Sequence, residues 1–236
     1  LKNKLFKVGL LVLLFGVLMQ IHQYIRKVPM NPGYPVMQVN PKSLNNVKRF
    51  IVLISNEGLM GVSRGTGLII DKDHVLTCGH LMPQEDQIMM IYTYPMGQVL
   101  TGKVQYAENG TDLALIKLSR PVKLPFYPRF QNHVEEGEPL VVIGNILGSM
   151  RWFVSYGTEC GTDFGYILTD ALIHGGNSGG PWFNYRGEVV AITDWGLEIG
   201  GKEAGISGGV SALTIQKFLQ HSKHPNLLQM LFGGLN

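Results

Sequence analysis

Two cysteines, Cys78 and Cys160, are all that the 236 residues provide. That excludes a framework of several disulfides, and the sequence does not show whether two residues so distant ever meet. Cys78 lies in an apolar strand pattern, where a thiol packs as a small hydrophobe, so both cysteines are expected to be free. No Cys/His spacing of a zinc site occurs and the seven histidines do not gather as ligands, so no metal is expected. Charge is scarce as well. Asp, Glu, Lys and Arg make up 16% of the chain, the formal net charge is +3, and no basic stripe is interleaved with aromatics. Nucleic acid is therefore not an expected partner. There is no internal repeat of solenoid length and no low-complexity block.

An uninterrupted apolar run of membrane-spanning length, about 20 residues, is missing too. Residues 8–19 are apolar or glycine, with Lys2, Lys4 and Lys7 before them and Arg26 and Lys27 after. Such a length suits the core of a signal peptide. However, Ile21, Tyr24 and Ile25 prolong the stretch, and no small-x-small cleavage site follows. Residues 1–27 are therefore expected to be an uncleaved signal-anchor forming one transmembrane helix, with secretion after signal cleavage as the alternative. Three lysines before the segment against two basic residues after it lean toward an extracytoplasmic location for the rest of the chain. Residues 28–46 carry Pro29, Pro32, Pro35 and Pro41, which oppose helix and sheet, and read as a stem.

What the sequence has in quantity is turn chemistry. Thirty glycines and twelve prolines separate short β-rich runs. Residues 50–55, 67–70, 74–77, 88–94, 99–106 and 113–118 form one series; 139–143, 153–160, 166–170, 180–183, 189–194 and 204–211 form a second. The proline-rich stretch 121–128 suits a crossover between them. This pattern predicts an all-β barrel or sandwich architecture. Leu213, Ile215, Phe218 and Leu219 have helical spacing, which predicts a short C-terminal helix over about 213–222.

Three segments carry candidate chemistry. Gly175-Gly176-Asn177-Ser178-Gly179-Gly180-Pro181 sets one serine among glycines. Such a run bends tightly and can aim its N–H groups at a developing oxyanion beside the serine hydroxyl. Upstream, Gly65-Thr66-Gly67-Leu68-Ile69-Ile70 and His74-Val75-Leu76-Thr77-Cys78-Gly79-His80 read as a hairpin with His80 just past its second strand. Asn109-Gly110-Thr111-Asp112-Leu113-Ala114-Leu115-Ile116-Lys117-Leu118 places Asp112 at the start of an apolar strand. The chain order His80, Asp112, Ser178 is that of the chymotrypsin-type triad.

On these motifs, together with Gly137-Glu138-Pro139-Leu140-Val141-Val142-Ile143-Gly144-Asn145 and Thr169-Asp170-Ala171, residues 48–220 resemble the trypsin/chymotrypsin-fold serine proteases, and most of all the bacterial HtrA/Deg-like branch. The resemblance implies a protease domain over 47–236. It comprises two six-stranded antiparallel β-barrels, about 47–120 and about 129–212, with the active site between them. The residues after the helix are too few for the PDZ domain that many HtrA proteins carry, so none is expected in this chain. Ser178 would be the nucleophile, His80 its base and Asp112 the residue that orients His80. The N–H groups of Gly176 and Ser178 would form the oxyanion hole. No metal or organic cofactor is implied, and the partner would be a protein or peptide substrate. The runner-up reading is a catalytically inactive protease-fold module that binds peptides or scaffolds partners.

The same alignment puts Leu172 at the floor of the P1 pocket, where it offers no counter-charge to Lys or Arg, so an apolar P1 residue is expected. Asp194-Trp195-Gly196 would form one wall and Gly205 the opposite one. Asn177 stands where zymogen-activated members have Asp, so no activation by N-terminal cleavage is expected. His74, in a Lys-Asp-His turn, is expected to be solvated, and Asp170 to be structural.

Overall fold

Strands form here because β-branched and apolar runs alternate with glycine-rich turns. The structure, a computed structural model, describes residues 41–233 apart from 59–60, 83–87, 96, 149–151 and 200–201. The first series of strands is β1 (Ile51–Gly58), β2 (Gly61–Ile69), β3 (His74–Cys78), β4 (Ile88–Thr93), β5 (Val99–Glu108) and β6 (Leu113–Leu118). The second is β7 (Pro139–Asn145), β8 (Trp152–Asp163), β9 (Tyr166–Thr169), β10 (Pro181–Phe183), β11 (Val189–Ile199) and β12 (Lys202–Ser211). They close into two barrels, in the orders β1-β2-β3-β6-β5-β4 and β10-β11-β12-β9-β8-β7. The ladders between these strands are antiparallel.

Each run expected from the sequence is a strand. The main differences are at the hairpin arms: β1 and β2 stay paired out to Gly58 and Gly61, and β11 and β12 out to Ile199 and Lys202. Backbone ladder bonds continue there beyond the apolar pattern that marks a buried face. One core cluster runs through the first barrel, the inner faces of the second and the C-terminal helices, and a smaller one gathers around Trp182.

Helix α1 (Pro41–Lys48) precedes β1. It corrects the reading of residues 28–46 as a stem without helix: Pro41 lies in the first turn, where its missing N–H costs nothing. The transmembrane helix expected over 1–27 and the stem through residue 40 lie outside the described residues. No described helix is long and apolar enough to cross a membrane.

Helix α2 (Ala212–His221) starts where the Ser211 side chain accepts the Thr214 N–H, and it buries Ala212, Ile215, Phe218 and Leu219. Helix α3 (Pro225–Phe232), which the sequence reading missed, buries Leu227, Leu231 and Phe232. Both return toward the earlier chain. Phe218 stacks on Tyr106 of β5 at 5.1 Å and Phe232 on Phe130 at 5.2 Å. Burying each ring is worth about 1.5–3 kcal/mol.

His74 is buried rather than solvated. It opens β3, all of whose residues are buried, and its ring is held by Asp71 at 2.9 Å and Gln105 at 3.1 Å. Both cysteines are free, as expected; Cys78 is buried and Cys160 exposed.

Candidate active site

The first barrel supplies a histidine and a carboxylate already paired. His80 follows β3 in a single 3-10 turn, and Asp112 immediately precedes β6, the strand that pairs with β3. Asp112 has a left-handed backbone, with φ of 50°. That conformation is tolerated by Asp better than by most residues, and it is one that functional sites retain. The carboxylate grips the histidine twice. Oδ1 accepts the His80 backbone N–H at 2.8 Å, and Oδ2 lies 2.5 Å from Nδ1. The Gly79 N–H adds a third tie, to the Asp112 carbonyl at 2.8 Å. A proton on Nδ1 leaves Nε2 as the acceptor, on a ring that is 43% exposed.

Ser178 stands in the second barrel, one turn before β10. The Asn177 N–H closes a four-residue turn onto the His174 carbonyl at 3.0 Å, and Gly176, third in that turn, has φ of +95°. Positive φ at the third position marks a type II turn and calls for glycine. A Cβ there would also run into the Asn145 carbonyl. Among the described residues, neither the Gly176 nor the Ser178 N–H is donated within the fold. The N–H groups of Asn177, Gly179 and Gly180 all are. The turn thus leaves one free N–H donor on each side of Asn177.

Thr66 locks this turn to the first barrel, a role the sequence did not reveal. It is fully buried. Its N–H donates to the Ser178 carbonyl at 2.8 Å and its hydroxyl to the Gly176 carbonyl at 2.7 Å. The same hydroxyl accepts the Asn145 N–H at 2.8 Å. The Thr66 carbonyl in turn accepts from the Thr77 hydroxyl at 2.7 Å, one residue before Cys78. The motif Gly65-Thr66-Gly67 drew attention to this strand, but only the fold shows that its threonine reaches the serine turn.

The structure therefore brings His80 and Asp112 into direct contact and holds Ser178 across the barrel junction. Among the described residues no hydrogen bond joins the Ser178 hydroxyl to His80. The hydroxyl lies 3.5 Å from the Asp194 carbonyl. Contacts of this kind commonly tighten when substrate binds.

Asp194 carries its carboxylate to the histidine pair instead of along a pocket wall. One oxygen lies 3.8 Å from His80 Nδ1, the Asp112 and Asp194 carboxylates approach within 4.8 Å of each other, and Tyr166 is a further polar neighbour. Burial, then the bond to Asp112 and its charge, raise the Asp194 pKa to about 6. Burial and the bond to Asp194 push Tyr166 up to about 12. His80 is raised chiefly by its bond to Asp112, with the charges of Asp112 and Asp194 adding to it. For Asp112, burial acts upward but is outweighed by bonding to His80 and Asp194, and the carboxyl falls below its usual range. Burial raises the Cys78 thiol well above its usual range, so it stays protonated beside these carboxylates.

The residues expected to line the P1 pocket are placed less uniformly. Leu172 is 47% exposed, between buried Ala171 and Ile173. Trp195 lies against Gly208, where a Cβ would strike its ring, and Gly196 pairs with Ser207. The strand register thus sets Gly208 opposite Trp195. Gly205, read from the sequence as that wall, is exposed toward the hairpin end, with no neighbour within 4 Å of a Cβ built on it. Asp170 is structural, accepting the Thr158 N–H at 2.6 Å. Beside the serine turn, Val62, Arg64, Leu147 and Gly176 line a shallow groove.

Known proteins share the two-barrel fold. The profile of the trypsin-like peptidase domain matches residues 65–192. Serine protease HTRA1B of Danio rerio is 30% identical over 69% of this chain and 36% of its own length. A probable periplasmic serine endoprotease, DegP-like, of Brucella suis is 30% identical over 66% of this chain and 32% of its own. The chain thus spans about a third of the length of these curated relatives. Among solved structures, the serine endoprotease from Yersinia pestis superposes with a TM-score of 0.66 at 25% identity, covering 79% of this chain and 65% of that one. The HtrA-type protease AlgWS227A, with a tripeptide, shares the fold, with a TM-score of 0.68 at 20% identity over 77% of this chain and 63% of that one. With both barrels formed and the match extending over more than half of the sequence, the chain belongs to the family of trypsin-like peptidase domains and has HtrA and DegP proteases among its relatives.

Proposed function

We propose that this chain is a serine endopeptidase that works through His80, Asp112 and Ser178. The observation that carries the reading is the double grip of Asp112 on His80, opposite a serine whose turn leaves the Gly176 and Ser178 N–H groups undonated. Ser178 Oγ attacks the peptide carbonyl as His80 Nε2 takes the hydroxyl proton. The carbonyl oxygen gains its negative charge between the two N–H groups. The imidazolium, steadied by Asp112, then protonates the leaving amine, and water releases the acyl group by the same steps in reverse.

The exposed, uncharged Leu172 supports an apolar P1 residue, which gains about 1.5–3 kcal/mol on burial, whereas Lys or Arg would find no counter-charge on it. The basic-flanked apolar residues 8–25 and relatives described as periplasmic support a peptidase held at a membrane by its N-terminal segment and acting outside the cytoplasm.

The test is fluorophosphonate labelling of the full chain. Labelling is expected to require Ser178, and Ser178→Ala should remove it together with peptide hydrolysis, a loss of order 10⁴ or more, while circular dichroism stays unchanged. An alanine variant that still labels overturns the assignment.

A further inference from the structure

The triad uses one carboxylate, yet the site holds two. Asp194 is there because of an irregularity in β11. Thr193 pairs with Gly209 and Trp195 with Gly208, so Asp194 is an extra residue without a partner on β12. Such a bulge re-aims a side chain, and bulges of this kind recur beside active sites. Here the carboxylate turns into the junction between the barrels, with its side chain only 11% exposed. The groups that face it are Asp112 from the loop before β6, His80 from the turn after β3, Tyr166 from β9 and, in the floor below, Cys78 from β3.

Two carboxyl groups within 4.8 Å of each other do not both ionise freely, so the pair holds a proton until pH draws it off. We propose that Asp194 is a positioning residue of the peptidase: neutral, it donates its O–H to Asp112 and fixes that carboxylate under His80; ionised, it sets a second negative charge behind the imidazole and makes His80 a stronger base. This rests on the triad assignment above. The two states exchange one proton with solvent and need no other reactant. In the ionised state the Tyr166 hydroxyl donates to Asp194, which compensates for the lost proton. An ionisation of Asp194 near 6 puts the changeover in the range where His80 itself titrates.

Asp194→Asn separates the charge from the hydrogen bonds. The amide N–H still donates toward Asp112, and the amide oxygen still accepts from Tyr166. Only the second charge is lost, so His80 gives up its proton at lower pH. In the full chain, the rate of fluorophosphonate labelling is measured against pH. The acid limb of Asp194→Asn should move down by about half a unit to one unit. Its plateau should fall about two- to threefold, because a weaker base assists Ser178 less. Asp194→Ser, also neutral and able to donate, should shift the limb the same way, and it carries the test if the asparagine variant fails to fold. A role in stability alone would lower the labelled fraction without moving the limb. An acid limb that stays in place or rises, in variants with native circular dichroism, overturns the proposal. Ser178→Ala keeps the two readings apart. If it still labels, the triad assignment falls and this proposal with it; if it does not label while the limb is unmoved, this proposal alone falls.

Discussion

Replacing Thr66 by valine tests how the two barrels are joined at the Ser178 turn. The substitution keeps the shape and removes one oxygen, which serves two partners: it donates to the Gly176 carbonyl at 2.7 Å and accepts the Asn145 N–H at 2.8 Å. Asn145 is wholly buried, so its N–H is left without a partner, at about 1–3 kcal/mol. The Gly176 carbonyl belongs to a half-exposed residue that water can reach in part, so its loss adds about 1 kcal/mol. The sum, about 2–4 kcal/mol, is a large part of the 5–15 kcal/mol that typically separates folded from unfolded domains. Urea denaturation should show the midpoint falling at an unchanged slope. Fluorophosphonate labelling should slow as well, because the freed carbonyl belongs to the turn that aims the Gly176 N–H. Thr66→Ser retains the hydroxyl and should lose only about 1 kcal/mol with the methyl group. If valine at this position costs less than about 0.5 kcal/mol, within the range of ordinary surface changes, the hydroxyl is not the link described.

Other outcomes follow from neighbouring features. Gly176→Ala should fold less stably and lose about 10²–10³ in labelling rate, the usual effect of losing one oxyanion donor, since φ is +95° and the Cβ meets the Asn145 carbonyl; labelling at the unaltered rate would show that the turn is not the hole. A thiol reagent should modify Cys160 in the native protein and Cys78 only after unfolding, because Cys78 is buried and its thiol is held protonated; equal rates for the two would contradict the described packing. Glu159 is raised chiefly by burial, so its ionisation opposes folding at neutral pH, and that opposition fades as pH falls through its folded-state value. Glu159→Gln, which keeps an acceptor for the Gly161 N–H, should therefore unfold at higher urea at pH 7, with the gain shrinking toward acid pH; a lower midpoint at pH 7 would reverse the sign argued here.

Local pattern was enough to read the strands. Runs such as residues 113–118 and 139–143 are apolar between strong turn signals, and their ends agree with the structure to within about two residues, the usual margin. His80, Asp112 and the serine turn were legible because each sits in a short motif of its own. What was not legible depends on register and on distant pairing. The alternation of side chains along β11 gives no warning of the bulge that sends Asp194 inward, and no local feature tells that Gly208, not Gly205, faces Trp195. Thr66 and Tyr166 are ordinary strand residues in sequence; the contacts of Thr66 with the serine turn exist only once the barrels meet, and that of Tyr166 with Asp194 only once the second barrel closes. Helix α3 was missed because eight residues opened by Pro225 are short and have weak helix signals, and its burial comes from Phe130 and other residues that are remote in sequence.

The return of α2 across β5 bears on the order in which the protein is made. Glu108 lies four residues before Asp112, and its carboxylate holds both the Thr111 hydroxyl, at 2.8 Å, and His221 at the end of α2, at 3.0 Å. Beside it, Tyr106 rests against Phe218. During synthesis the first barrel leaves the ribosome well before this helix does, so the loop presenting Asp112 is without its contacts to His221 and Phe218 until the second barrel has been translated. The support that this loop receives from outside the first barrel is thus a late addition, made only when α2 is in place.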